Sequence, residues 1–120
     1  MTPSEETIDA YLLGDGATLA HAINNRYGWP IRGLVMPYAE RQVLIYSWVQ
    51  HPSGKGLSIT GLEEEAAIAD VDPSATIRTL SVAELLDLSG IDDACEGYTV
   101  DFREAELIVG EYIAPKFLWH

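Results

Sequence analysis

Cysteine is nearly absent from this chain: Cys95 is the only one in 120 residues. A lone thiol cannot close an intramolecular disulfide, so a reducing cytoplasm is the expected compartment. Basic side chains are scarce too, seven against nineteen acids, for a net charge of -12. That balance repels phosphate backbones and anionic lipid, which argues against direct nucleic-acid binding and charge-driven membrane attachment. No apolar run is long enough to span a bilayer. The opening residues also lack a basic segment followed by an apolar one, so neither a membrane span nor a secretory leader is expected. Internal repeats and low-complexity tracts are missing. So is any His, Cys or acid spacing suited to zinc or calcium, and no metal is expected. Gly14 and Gly16 are too few for a dinucleotide fingerprint, and Asp15 between them would repel phosphate, so no cofactor is expected either.

What is present is the composition of an ordinary globular domain, 48% hydrophobic and 22% charged. The length suits a single domain over residues 1–120. Charge divides it sharply. Residues 1–60 carry five acids and four bases, whereas residues 61–113 carry fourteen acids and only Arg78 and Arg103. An aromatic tail follows at 114–120, with Phe117 and Trp119.

Periodicity and end signals predict an α+β fold, a small antiparallel sheet packed against an N-terminal helix pair with further helices in the C-terminal half. Helices are expected over Glu5–Leu13 and Ala17–Tyr27, the second closed by Gly28. Strands are expected at Ile31–Met36, Gln42–Val49 and Leu57–Thr60. The second of these is apolar enough to be central, with Leu44, Tyr46 and Trp48 on one face. Thr60 with Glu63 and Ser81 with Glu84 read as capping boxes, opening helices over 61–69 and 82–88. A short strand is expected over Ala75–Leu80. Asp101 with Glu104 predicts a last helix over Phe102–Ile113, with Leu107, Ile108 and Tyr112 inward.

Candidates for chemistry are few. Thr18 and His21 on the second helix, with Asp15 near its start, could be drawn as an acid–base set, but no nucleophile stands beside them. Cys95 follows Asp92 and Asp93, whose charge would make its thiol a poorer nucleophile. His51 falls in a polar turn without an evident partner.

Three short motifs occur in order: Gly14-Asp15-Gly16 ahead of Leu19-Ala20-His21-Ala22-Ile23, then Gly28-Trp29-Pro30, then Pro52-Ser53-Gly54-Lys55-Gly56 running on to Gly61. This order resembles the small papain-like cysteine-hydrolase domains of bacterial polymorphic toxins and phage-associated proteins, over about residues 11–61. The resemblance implies a catalytic cysteine where this chain has Gly16. It implies a histidine at Leu44 or Tyr46, and an orienting aspartate at Ser58. All three are replaced, so it implies a scaffold without the chemistry.

The expected function is therefore non-catalytic binding, of a kind found in anti-defence or immunity proteins of phages and mobile elements. The acidic half, led by Glu63, Glu64, Glu65, Asp92, Asp93 and Glu96, would face a basic protein surface such as a nuclease or a nucleic-acid-binding complex. Two alternatives stand beside it: an enzyme with an unrecognised site, and an assembly subunit whose charge serves solubility.

Overall fold

The computed structural model describes residues 4–13, 16–70, 73–90 and 96–118. Helices α1 (Glu5–Leu13) and α2 (Gly16–Tyr27) form the N-terminal pair. Ser4 starts α1 by accepting from the Thr7 N–H through its hydroxyl at 3.2 Å. Gly28 ends α2 with a left-handed φ of 74°, and Asn24 fastens the exit by donating to the Trp29 carbonyl at 2.8 Å.

Five strands follow: β1 (Ile31–Tyr38), β2 (Arg41–Gln50), β3 (Gly56–Ser58), β4 (Gly61–Glu63) and, after a short helix α3 (Glu65–Ala69), β5 (Thr76–Leu80). They make one antiparallel sheet in the order β4-β3-β2-β1-β5, so β2 is central as expected. Two residues, Ala39 and Glu40, turn β1 into β2 with positive φ at both, the backbone that matches strand twist in a tight hairpin. Helices α4 (Val82–Ser89) and α5 (Glu96–Ile108) then pack beside α2, and α5 runs on into a π-helical segment, Val109–Leu118.

The main core lies between the helices and one sheet face. Leu19, Ile23, Ile31, Val49, Leu57, Leu85, Ile108 and Ile113 are all shut from solvent there. A second, smaller core of Leu34, Trp48 and Ile68 sits on the other face, under α3.

Three local expectations are corrected. Thr60 and Glu63 do not cap a helix: Gly61–Glu63 is β4, paired with β3, and α3 is only five residues long with no side-chain cap. Cross-strand pairing outweighs the capping pattern here. Asp101 and Glu104 lie inside α5, which starts at Glu96. Leu107 is 55% exposed, while Ile108 and Tyr112 are buried as expected. Tyr112, Ile113 and Ala114 are buried in succession within the π-helical segment. Among the described residues no helix is long and apolar enough to cross a membrane.

Candidate functional site

Helices α2 and α4 pack on one sheet face, over the main core, and the other face carries the short α3. Which side chains reach that open face is decided by a bulge. The β1–β2 register shifts between Leu34 and Val35: Leu34 pairs with Tyr46 but Val35 pairs with Leu44, leaving Ile45 as an extra residue. Beyond the bulge the alternation is reversed. Leu44 therefore packs into the main core, while Ile45, Tyr46 and Trp48 all belong to the open-face cluster. The expectation that Leu44, Tyr46 and Trp48 share one face is corrected by this single inserted residue.

Trp48 is 1% exposed and its indole needs a partner. Glu65 supplies it, accepting from Trp48 Nε1 at 2.8 Å, from Arg32 Nε at 3.0 Å and from Gln50 Nε2 at 3.2 Å. The carboxylate joins β1, β2 and the first turn of α3, and its side chain is only 15% exposed. Glu65 was expected to face a partner with Glu63 and Glu64; it faces inward instead.

Beside this cluster a cleft of about 210 Å³ opens between α3 and the sheet, lined by Leu34, Ile45, Tyr46, Glu63, Ala67 and Ile68. Its polar end is Tyr46 with Ser58 and Glu63. Burial pushes the Tyr46 phenol above its ordinary pKa, and the negative charge of Glu63 adds to this; a hydrogen bond with Ser58 opposes it in part. The phenol therefore stays protonated at neutral pH and offers a hydroxyl and a ring face, not a base. On the same face the register carries Met36 and Val43 as a pair, then Tyr38 and Arg41. Val43 is 40% and Tyr38 66% exposed, so apolar surface continues from the cleft along the hairpin, with the exposed Arg41 beside Tyr38 at its end.

The four positions marked by the hydrolase resemblance divide between the two faces. A side chain at Gly16 would point to Ser47: an added Cβ would lie 3.7 Å from its Oγ and 3.0 Å from the Tyr11 carbonyl oxygen. Leu44 is on that same face, in the main core. Tyr46 and Ser58 meet on the other. Helix α2 does start at Gly16 and pack on β2, with β3 adjacent, but the four positions do not converge on one site.

Other candidates fall as follows. Thr18 is buried, and the His21 ring packs against Phe102 tilted by 47° with centroids 4.7 Å apart. His51 has partners after all: Ser53 Oγ stands 2.8 Å from its Nδ1 and the Trp29 ring meets it edge-on at 5.0 Å. Asp15, Asp92, Asp93, Cys95 and Trp119 lie outside the described residues, as do the side chains of Glu96 and Phe117. Glu63 and Glu64 are exposed, with Glu64 4.0 Å from Lys55. Among the described residues, no three His, Cys, Asp or Glu side chains are grouped to hold a metal ion.

The Glu65 hub and the bulge escape a sequence reading because both depend on cross-strand register. The one signal for the hub was Trp48 on an otherwise apolar central strand, an indole that would require an acceptor. Compared with known proteins, the chain matches no family model, no curated protein and no solved structure.

Proposed function

We propose that the protein acts by binding, docking its acidic C-terminal half onto a basic surface of another cytoplasmic protein and blocking it. The observation that carries this is the imbalance of exposed charge. Asp87, Asp101, Glu106 and Glu111 are all exposed, while of the two arginines in that half Arg78 is occupied by Glu84 at 3.2 Å. Among the described residues only three ion pairs form, and they use Glu64, Glu65 and Glu84. Exposed carboxylates in such excess raise the encounter rate with a basic partner and repel nucleic acid. A nucleic-acid-binding groove is the basic surface such a field fits best, so a nuclease or a nucleic-acid-binding complex is the proposed class of target. The hydrolase resemblance points the same way. Cysteine hydrolysis needs a thiolate, a base and an orienting group, and Gly16, Leu44 or Tyr46, and Ser58 offer no such set. We read the scaffold as one retained for binding, of a phage or mobile-element kind.

The experiment is competition with duplex DNA for a basic nuclease. The protein is expected to displace DNA and slow cleavage, and the triple reversal Asp101→Lys, Glu106→Lys, Glu111→Lys should lose that effect. Equal displacement by wild type and reversal would overturn the reading.

A further inference from the structure

We propose that the cleft between α3 and the open sheet face is the anchor pocket for one basic side chain of the protein partner. An arginine or lysine there would lay its alkyl stem on Leu34, Ile45 and Ile68 and turn its charge to Glu63. The inference rests on the reading above and adds where the partner is gripped.

Three observations converge on it. The first is shape and lining: about 210 Å³ with an apolar floor and a carboxylate and a phenol at its polar end, which suits a side chain that is apolar along its length and cationic at its tip. The second is the state of the three neighbouring glutamates. Glu65 is held by Arg32 and Glu64 is near Lys55, whereas Glu63 enters no ion pair among the described residues. Its charge is felt at Tyr46, whose ring also offers a face for a cation. The third is continuity. The exposed Val43 and Tyr38 extend the apolar surface from the pocket along the hairpin, giving a protein segment more to cover than a free small cation could reach. A second copy of this chain is disfavoured as the occupant, because two molecules of net charge -12 repel each other.

The test uses two tripeptide probes, acetyl-Val-Arg-Val-amide and its citrulline counterpart, which keeps the shape and removes the charge. Binding is followed by methyl NMR at Ile45, Ile68 and Val43. The arginine peptide should shift these signals, with the citrulline peptide roughly fivefold weaker, as for a partly exposed ion pair. Glu63→Gln should bring the arginine peptide down to the citrulline level. Ala67→Phe should fill the cleft and abolish binding of both, while an unchanged Trp48 environment shows that the fold is kept. Equal binding of the two peptides, or binding indifferent to Ala67→Phe, would overturn the pocket. Salt-dependent association with a basic protein that Ala67→Phe leaves untouched would overturn the pocket alone and leave the acidic-half reading standing. Arginine-selective binding in the cleft, with no effect of reversing Asp101, Glu106 and Glu111, would keep the pocket and remove that reading.

Discussion

Three consecutive glutamates occupy three different environments. Glu63 borders the cleft, Glu64 stands in solvent near Lys55, and Glu65 is enclosed by Arg32, Trp48 and Gln50. Their sequence gives no means of telling them apart, since what selects Glu65 is an indole seventeen residues earlier. Removing the inner carboxylate strands a buried donor and a largely enclosed guanidinium. Glu65→Ala should therefore lower stability by about 2 kcal/mol or more and red-shift the Trp fluorescence. Glu64→Ala, in the same run, should leave the unfolding midpoint within error. Tyr46 gives a second prediction at this scale. Its pKa is raised in the folded state, so the folded protein holds its phenolic proton to higher pH than the unfolded chain does. The associated stability is fully present below the ordinary tyrosine pKa of about 10 and is lost as pH rises above it. Tyr46→Phe should flatten the alkaline fall in unfolding free energy, measured by denaturant titration from neutral pH upward. An unchanged fall would assign it to another group.

Elements with strong local signals were legible, and those made by pairing were not. Ser81 and Glu84 form a reciprocal capping box: the Ser81 hydroxyl accepts from the Glu84 N–H at 3.1 Å and the Glu84 carboxylate accepts from the Ser81 N–H at 3.1 Å. Gly90 then closes α4 with a φ of 73°. Those signals are local, so the α4 ends could be read directly. Ser81→Ala should cost about 1 kcal/mol in chemical unfolding, as loss of a side-chain cap does. Thr60 and Glu63 show the same letters at the same spacing, yet there Leu57 pairs with Leu62 and the pattern is a hairpin. Gly56 helps to fix that hairpin: an added Cβ would come within 2.6 Å of Trp48 Cδ1, so the strand lies tight on the indole. Neither the pairing nor the close approach leaves a periodic trace in three-residue strands. The bulge at Ile45 is illegible for the same reason, and it alone decides that Tyr46 belongs with the cleft while Leu44 belongs to the core.

At the scale of the whole molecule, the fold class could be read from the alternation of helical and strand periods. The charge asymmetry could be read directly from the residues. What charge counting could not supply is exposure, which separates an inward carboxylate such as Glu65 from the outward Asp87, Asp101, Glu106 and Glu111. The sheet adds a second asymmetry, with one face closed by α2 and α4 and the other covered, among the described residues, by α3 alone. An acidic surface and a partly open sheet face together make a binding account specific enough to test. The most direct test is the association rate with a basic nuclease across a salt series, for wild type and for the Asp101→Lys, Glu106→Lys, Glu111→Lys reversal. The account predicts a wild-type rate that falls steeply as salt shortens the Debye length toward about 8 Å, with the reversal slow throughout and its melting temperature nearly unchanged. A rate that is flat with salt and the same in both proteins would contradict it.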